Sequence, residues 1–598
     1  MDRGDVKING KYYRINVPSY RSKDVTDFSP KATAAGGAVV HSELMLYQPY
    51  LQTDWRHGFG GMWYDDASRY MYTTGQVDTR HPDIAMLFTS ATSSETNNNA
   101  KEGFCTWNSA VWSWGAAGLR KYSSSAWASA YSTAAVNFAF PAGDYLFYCP
   151  DGLRIQKVST SDVHTDAGND ASSIDYKWMI AHNGYIYAGV DSTNRVHTDS
   201  AADLSDLEGT TADPDLIYIG TSNFPTLGAI VYMSRLFVAR QDGLWEIGED
   251  RIARRLLDFS SEASSTNFRS MAVHNGYLLF PIRDKIYQWN GARMSDVTPP
   301  RLTDSFPYTT YGYFDNFVAS GRFLYCTART NETTYSEDLL CFDGVAWFKL
   351  MNLVSNGSDV ITAMAYDPVN NYLWYHRQAT ADATYYIPFQ AQSELPYANF
   401  PTSGTHELVS SRLDMGFRWV QKSAPSLIVE ASNLSATQYL TISYSIDGGS
   451  WVEWDSVKSN GTSKLETPGG AHSIEFYYMQ IKVAFHTTSA TNSPILEGVT
   501  LRFLMRPDEL YATSFNVPLA HGSDIGMLSE DRTAGKMWQD LKDARASKSP
   551  IEFIDIDGTE YFAYLTSLTK QLVEFNREGM GATPEMELLA QLNIIEAK

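Results

Sequence analysis

Two stretches of nearly identical design decide the fold, Trp178-Met-Ile-Ala-His-Asn-Gly-Tyr-Ile-Tyr-Ala188 and Met271-Ala-Val-His-Asn-Gly-Tyr-Leu-Leu-Phe280. In each stretch an apolar run meets an Asn-Gly pair and is followed by a second apolar run that contains aromatic residues. Asn-Gly between two such runs predicts a tight β-hairpin, because a type I′ turn requires positive φ at both of its central positions.

The same design recurs along the chain. Its turn positions are separated by 50, 42, 45 and 50 residues, and they are Gly184, Ser234, Gly276, Gly321 and Asn371. Weaker candidates lie upstream at Ser68, Ser109 and Gly143. A second hairpin follows in several units, as in Lys285–Gly291. Four short strands per unit of about 45 residues predict a mainly β chain with a β-propeller of six to eight blades over residues 58–392.

The flanking regions have other patterns. Residues 1–57 predict an extended N-terminal arm, which either packs on the propeller or lies on a neighbouring subunit. Residues 405–507 alternate apolar and polar side chains in about seven segments, which predicts an antiparallel β-sandwich. Residues 508–598 predict a small α+β module with a helix over Asp531–Ala546, a hairpin around Asp557-Gly558 and a final strand near Glu585–Ile595.

Composition excludes several classes of protein. The chain has 598 residues, 43% hydrophobic, so it can bury large cores and is not disordered as a whole. Its 47 basic and 68 acidic residues give a net charge of −21, which argues against nucleic-acid binding through charge alone. We expect no membrane span and no signal peptide. The four cysteines form no zinc pattern; Cys326 and Cys341 either face each other across a hairpin or are buried free thiols.

Several motifs resemble functional sites without completing them. Ser445-Ile-Asp447-Gly448-Gly449-Ser450-Trp451 approaches the Asp box of sialidase-like propellers, but it occurs once and its Trp comes one position early. Asp555-Ile-Asp557-Gly558 resembles the start of a calcium loop, but position 12 is Thr566 where an EF-hand needs Glu. We therefore interpret both as hairpin turns.

Two polar loops are the remaining candidates for a ligand or metal site. Trp55–Phe59 and Asp78–Pro82 contain His57 and His81, and five aspartates are nearby in the sequence, namely Asp54, Asp65, Asp66, Asp78 and Asp83. We favour a structural role for them, as for His182 and His274, which occupy equivalent positions in two repeats. The sequence thus assigns no catalytic, cofactor-binding or metal-ligating residue, and we expect a protein that is not an enzyme.

Three segments resemble virion tail proteins of tailed bacteriophages. They are Leu51–Gly60 with Trp63–Asp66, the segment Ser493–Arg502, and the pair Pro550–Tyr561 and Thr583–Leu589. The last pair is similar to the C-terminal domains of siphophage tail-tip and minor tail proteins. No catalytic residues come with this resemblance.

The resemblance implies a structural protein of the virion tail, made in the host bacterial cytoplasm. Its expected partners are copies of itself in a ring of three or six around the tail axis, and other tail proteins. DNA would pass such an acidic ring without being held. A nozzle protein of a short-tailed phage, and a protein at the distal tail end that binds a host surface receptor or glycan, are the alternatives.

Overall fold

The computed structural model shows a mainly β protein. It describes residues 6–13, 20–24, 48–60, 63, 70–96, 101–123, 125–167, 174–200, 216–299, 311–329, 336–354, 359–379, 382–390, 398–415, 418, 421–468, 473–506, 510–519, 533–546, 551–554, 560–575 and 585–596. Among these residues, no helix is long and apolar enough to cross a membrane.

The strands before residue 90 are short, and they pair with strands from the C-terminal third of the chain. They are β1 (Val6–Ile8), β2 (Lys11–Tyr13), β3 (Tyr20–Asp24), β4 (Gln48–Gln52), β5 (Tyr72–Thr74), β6 (Val77–Asp78) and β7 (Ala85–Leu87).

Within the described ranges, the next 28 strands form seven four-stranded antiparallel sheets. The first three sheets are β9 (Lys101–Trp107), β10 (Ala110–Gly115), β11 (Gly118–Ser123) and β12 (Ala126–Tyr131); β13 (Val136–Ala142), β14 (Tyr145–Pro150), β15 (Gln156–Ser159) and β16 (His164–Asp166); and β17 (Tyr176–His182), β18 (Tyr185–Val190), β19 (Arg195–Ser200) and β20 (Leu216–Tyr218). The fourth and fifth sheets are β21 (Thr226–Tyr232), β22 (Arg235–Arg240), β23 (Gly243–Ile247) and β24 (Ala253–Asp258); and β25 (Ala272–His274), β26 (Tyr277–Ile282), β27 (Lys285–Trp289) and β28 (Met294–Asp296). The sixth sheet is β29 (Tyr313–Ala319), β30 (Leu324–Arg329), β31 (Glu337–Phe342) and β32 (Trp347–Val354).

The seventh sheet is completed by a strand from the other end of the series. It contains β33 (Val360–Asp367), β34 (Tyr372–Gln378) and β35 (Ala383–Pro388), and its fourth strand is β8 (Thr92–Thr96), which pairs with β35. Strand β33 also contacts β9 of the first sheet. The first and seventh sheets are therefore neighbours in space, and β8 ties them together.

Bulges in the first strands connect neighbouring sheets. The pairing of first and second strands shifts register in six of the seven described sheets, and the extra residues include Asn137, Asn316 and Thr362. Thr362 Oγ1 donates to the Lys101 carbonyl at 2.7 Å, and Asn316 Nδ2 donates to the Ile361 carbonyl at 3.1 Å. Because a bulged residue is released from its own ladder, its side chain is free to bond the next sheet.

The hairpin predictions are confirmed at the Asn-Gly pairs. Asn183 and Gly184 have φ of 50° and 81°, and Asn275 and Gly276 have φ of 48° and 78°. The pairing register of β30 and β31 also decides between the two alternatives for Cys326 and Cys341. Tyr325 pairs with Cys341 and Cys326 pairs with Leu340, so the two cysteines lie on opposite faces of the sixth sheet, and both are buried free thiols.

A domain of two sheets follows the seventh sheet. Its strands are β36 (Glu407–Val409), β37 (Gln421–Ser432), β38 (Gln438–Ile446), β39 (Val452–Val457), β40 (Gly461–Glu466), β41 (Ile474–Phe476), β42 (Met479–Thr487) and β43 (Ile495–Arg506). One sheet has the order β39-β38-β42-β36-β5, and the other has the order β40-β37-β43-β7-β6 with β4 and β41 attached. Their inner faces share one apolar core, in which Leu427 and Leu501 of one sheet join Ile442 and Val483 of the other.

This pairing changes the expected boundary at residue 58. Strands β5, β6 and β7 lie inside the range 58–392 expected for the propeller, yet they belong to the two-sheet domain, and the four-stranded sheets begin at Thr92. Short apolar strands look alike in sequence whichever sheet they join, so local pattern does not separate them.

The last sheet joins the two ends of the chain. It contains β44 (Leu510–Pro518), β45 (Ile551–Ile554), β46 (Glu560–Phe575) and β47 (Glu585–Glu596), extended at its edges by β1, β2 and β3. Helix α1 (Ala534–Ala546) buries Met537 and Leu541 against this sheet. Asp531, the expected start of the helix, lies outside the described residues.

The described parts of the arm expected for residues 1–57 therefore include four strands that join sheets of this chain. Its described parts pair with β45, β44 and β43 of the same chain, and Lys7 forms an ion pair with Glu552 at 2.8 Å. The partners lie hundreds of residues away in sequence, which is why local pattern indicated only an extended segment.

Candidate functional site

The polar loop Asp78–Pro82 is a structural element. Asp78 and Arg80 have fully buried side chains and form an ion pair at 2.9 Å. The Arg80 guanidinium lies 4.9 Å from the ring centre of Phe323, and its Nη1 donates to Tyr325 Oη at 3.1 Å. Burial alone would raise the pKa of Asp78, but the charge and hydrogen bonds of Arg80 keep it below its usual value. This pair joins the two-sheet domain to the sixth sheet.

The other loop candidates do not form a common site with it. Asp54 pairs with Arg56 near the surface at 2.6 Å, and His57 is exposed. Burial lowers the pKa of His81. Asp65 and Asp66 lie outside the described residues. No group of three or more metal-ligating side chains occurs in the part of the chain that the structure describes.

The Asp-box-like segment is a hairpin turn between β38 and β39. Asp447 and Gly448 have φ of 50° and 77°. Asp447 Oδ1 accepts hydrogen bonds from the backbone N–H groups of Tyr477 and Tyr478, both at 2.9 Å, and Ser445 Oγ donates to the Gly449 carbonyl. The Asp447 carboxylate therefore joins this turn to the backbone between β41 and β42. The calcium-like segment Asp555–Gly558 lies outside the described residues.

The repeated histidines differ in burial. His274 is buried, and burial lowers its pKa, whereas His182 is half-buried. His274 is the last residue of β25 and lies on the buried face of that strand. The neighbouring Asn275 Nδ2 donates to the Asp343 carbonyl of the sixth sheet at 3.1 Å. These contacts give the His-Asn-Gly turn of the fifth sheet a packing role.

A further candidate site is a cleft at one end of the two-sheet domain. It has a volume of about 390 Å³, within the range of about 300–1,000 Å³ typical of ligand pockets. Segment Pro401–His406 forms one wall, Ala436–Tyr439 forms the other, and Phe485–Thr488 forms the floor. The cleft lies where three neighbouring strands begin or end together, namely β36, β38 and β42.

Two rings stand side by side in this cleft. Tyr439 and His486 are directly opposite each other on β38 and β42, and their rings stack with centres 4.6 Å apart at an angle of 17°. Both side chains are half-buried. The Lys458 ammonium lies 5.1 Å from the centre of the Tyr439 ring. The cross-strand register thus places the Tyr439 ring between the His486 ring and the Lys458 ammonium.

His406 fixes one wall. Its Nδ1 accepts the Gln76 backbone N–H at 3.0 Å, so Nε2 carries the proton and donates to the Ser403 carbonyl at 3.0 Å. Burial lowers the pKa of His406, and it also lowers the pKa of His486 against the opposing effect of Glu407 and Glu453. The pKa of each imidazole thus lies below its ordinary value, which favours the neutral form.

A second feature is the set of turns at one end of the four-stranded sheets. Turns between first and second strands, and between third and fourth strands, lie at the same end of an antiparallel four-stranded sheet. Here the turns of neighbouring sheets also touch, since Tyr232 Oη donates to the Gly276 carbonyl and Asn108 Nδ2 donates to the Thr160 carbonyl. We call this surface the turn end. It exposes five large apolar residues, Val163, Met233, Ile252, Val345 and Val369.

Comparisons with known proteins assign no family. No family model and no curated protein matches the chain. A designed protein, Ika8, is 11% identical over 49% of this chain and 98% of its own, with a TM-score of 0.34. The extracellular domain of the putative hybrid two-component system BT3049 from B. thetaiotaomicron is 11% identical over 69% of this chain and 57% of its own, with a TM-score of 0.39. The Neurospora crassa Pan2 WD40 domain is 7% identical over 49% of this chain and 90% of its own, with a TM-score of 0.34. Similarities this weak carry no conclusion about function.

Sequence reasoning missed the cleft. Tyr439 and His486 are 47 residues apart, and only the register of β38 against β42 brings them together. A usable signal was the alternation of both strands, which places Tyr439 and His486 on the outward face, away from the buried Leu440 and Phe485.

Proposed function

We propose that this protein is a non-catalytic structural component of a bacteriophage tail, in a tail tip, a baseplate or as a minor tail protein. In this proposal the seven four-stranded sheets are the blades of a β-propeller closed by β8, and the two-sheet domain is a β-sandwich. The protein assembles with copies of itself in a ring of three or six around the tail axis. The resemblance of three sequence segments to phage tail proteins supports this assignment.

The observation that carries the proposal is the turn end. Its turns are braced against each other by hydrogen bonds between sheets, so the surface is rigid, and Val345 is 84% exposed there. Exposed apolar side chains on a rigid surface favour association with another protein surface, since burying them releases water at little cost in side-chain entropy. We assign this surface to contact between neighbouring subunits.

Buried charges support a structural role. Asp78, Glu95 and Glu337 are each paired with a cation, respectively Arg80, Lys101 and Arg329. Each carboxylate is held in place by its cation, and Glu337 also accepts a hydrogen bond from the Ile361 backbone of the seventh sheet.

Assembly is tested by mass photometry and electron microscopy of the purified full chain. We expect rings of three or six copies, and dissociation to smaller species for the double variant Val345→Lys with Met233→Lys. Val452→Lys is the matched control, because Val452 is 46% exposed on the two-sheet domain and away from the turn end.

Location is tested by immunogold labelling of virions of the encoding phage. Labelling at the tail supports the proposal. A protein that stays monomeric at all concentrations and is absent from virions would refute it.

A further inference from the structure

We propose that the junction between the first and seventh sheets is a binding site for a small monovalent anion such as chloride, beside Lys101 and Arg120. This goes beyond the structural role proposed above and does not depend on it. Two observations carry the inference. The junction encloses more positive than negative charge, and four buried polar atoms at it have no hydrogen-bond partner among the described residues.

One carboxylate serves two cations at this junction. Glu95 on β8 forms ion pairs with Lys101 on β9 at 2.6 Å and with Arg120 on β11 at 2.5 Å. The Lys101 side chain is 2% exposed and the Arg120 side chain is 13% exposed, so solvent screens neither charge well. Two positive charges and one negative charge leave one positive charge without a counter-ion. Burying such a charge costs free energy, and a bound anion would recover part of it.

The titration of Lys101 agrees with this excess of positive charge. Burial and the nearby Arg120 charge lower the pKa of Lys101 to about 8, although Glu95 acts in the opposite direction. His376 faces Lys101 from β34 and adds no charge at pH 7, because burial lowers its pKa to about 4. Among the described residues, Asp382 acts electrostatically on His376 but is not one of the charges that shift the pKa of Lys101.

Four polar atoms at the junction are buried without a hydrogen-bond partner among the described residues. They are Ser113 Oγ, Arg120 Nε, Trp374 Nε1 and His376 Nε2. Ser113 and Arg120 lie directly opposite each other on β10 and β11. Trp374 and His376 are two residues apart on β34, so their side chains lie on the same face of the seventh sheet. Atoms buried this deeply are normally paired with protein, water or ligand.

A chain of hydrogen bonds decides which nitrogen of His376 carries the proton. Lys101 Nζ donates to Thr384 Oγ1 at 2.8 Å, and Thr384 Oγ1 lies 3.2 Å from His376 Nδ1. The Thr384 hydroxyl proton is then available to Nδ1, which leaves the ring proton of the neutral imidazole on Nε2. Arg120 Nε, Trp374 Nε1 and His376 Nε2 are therefore all N–H donors. Donors without acceptors, next to an excess of positive charge, are the environment that an anion requires.

The aromatic side chains of the junction favour a small anion. The Trp127 and Trp374 rings have centres 5.4 Å apart, and Lys101 Nζ lies 4.0 Å from the centre of the Trp127 ring. Trp374 is fully buried and Trp127 is buried. Rings packed this closely beside the cations leave room for a halide more readily than for phosphate or sulfate.

The test is thermal unfolding of the full chain in increasing concentrations of sodium chloride, with sodium gluconate added to keep the ionic strength constant. At pH 6.5 we expect Tm to rise with chloride and to saturate, and sodium bromide to have the same effect. At pH 9.5 the effect should be smaller, because Lys101, with a pKa of about 8, is then mostly neutral.

Two variants locate the anion and a third serves as the control. Lys101→Met leaves Glu95 paired with Arg120 and removes the excess charge, so the chloride Kd should rise about tenfold or more. Ser113→Ala removes no charge, is unlikely to disturb folding, and should raise Kd about two- to tenfold. Lys121→Met is the matched control, because Lys121 is the next residue on β11 and pairs with Asp162 instead. It should leave Kd unchanged.

Crystals soaked in sodium bromide show the site directly. We expect an anomalous peak within hydrogen-bond distance of Lys101 Nζ or Arg120 Nε. Water alone at the junction, with no bromide peak, would overturn the proposal. So would a Tm that responds equally to chloride and gluconate, or an unchanged Kd in both Lys101→Met and Ser113→Ala. None of these outcomes alters the assembly measurements above.

Discussion

Replacing Arg80 by methionine should severely destabilise the protein. Methionine keeps much of the volume and removes the charge, which leaves the fully buried Asp78 carboxylate without its cation. The lost contacts are hydrogen bonds to Asp78 Oδ1 at 3.0 Å and Oδ2 at 2.9 Å, a bond to Tyr325, and the positions over three phenylalanine rings.

The expected magnitude follows from these contacts. Each hydrogen bond between charged groups contributes about 1.5–3 kcal/mol, and each cation–π contact about 0.5–1 kcal/mol. The desolvation cost of the arginine, which the variant no longer incurs, offsets part of this gross loss. Breaking one side of a buried pair costs about 3–5 kcal/mol in other proteins, and we expect a loss in that range for Arg80→Met.

The chain contains a matched control. Asp54 and Arg56 repeat the Asp-x-Arg arrangement with the same backbone hydrogen bond, but the Arg56 side chain is 52% exposed. Solvent screens exposed pairs, so Arg56→Met should change stability far less than Arg80→Met. The double variant Asp78→Asn with Arg80→Met should recover most of the loss, because no buried charge then remains unpaired.

The assay is urea unfolding followed by tryptophan fluorescence at pH 8 and pH 5. The folded-state pKa of Asp78 lies below its unfolded value in wild type. The pair's contribution is therefore present above pH ~4 and is lost only as the pH falls through the folded pKa. In Arg80→Met, burial without a cation raises that pKa. The stability difference between wild type and Arg80→Met should therefore be smaller at pH 5 than at pH 8. If Arg80→Met lost less than about 1 kcal/mol of unfolding free energy, or if the double variant recovered none of the loss, this account would be refuted.

Three further predictions concern single side chains. Burial lowers the pKa of His376 to about 4, so its stabilising contribution should be complete above pH ~6.5 and should fall as the pH drops towards 4; His376→Gln should flatten that part of the stability–pH curve. An added Cβ meets no atom within 4 Å at either Gly184 or Gly228, so the two positions differ only in backbone conformation. Gly184→Ala should lower the free energy of chemical unfolding by about 1–2 kcal/mol because its φ is 81°. Gly228→Ala should be neutral or slightly stabilising because Gly228 has no positive φ. Cys326 and Cys341 should stay unreactive towards Ellman's reagent in the folded protein and react fully in urea, because burial raises the Cys326 pKa and both thiols are enclosed; a disulfide between them in the non-reduced protein would contradict the register of the sixth sheet.

The features of the fold that depend only on neighbouring residues were predictable from the sequence. The Asn-Gly turns were predictable because positive φ at two adjacent positions is a local requirement. Asn and Gly tolerate it best, and in His182-Asn183-Gly184 both Asn183 and Gly184 have positive φ. The last strand, predicted near Glu585–Ile595, spans Glu585–Glu596 for the same reason, since alternation is local. The strand pairing of residues 6–13 and 72–87 was not predictable, because their partners lie far along the chain. The cleft depends on the same kind of long-range register.

The meeting of the two chain ends in one sheet has a consequence for synthesis. Lys7 and its partner Glu552 are 545 residues apart. At about 5–20 residues per second of translation, the first strand waits about 30–110 seconds for its neighbour to be made. Throughout that interval β1 and β2 are an unpaired hairpin with apolar Val6 and Ile8 at its surface, a known route to aggregation. The order of translation therefore keeps β1 and β3 from pairing until β45 and β44, near the end of the chain, have been made.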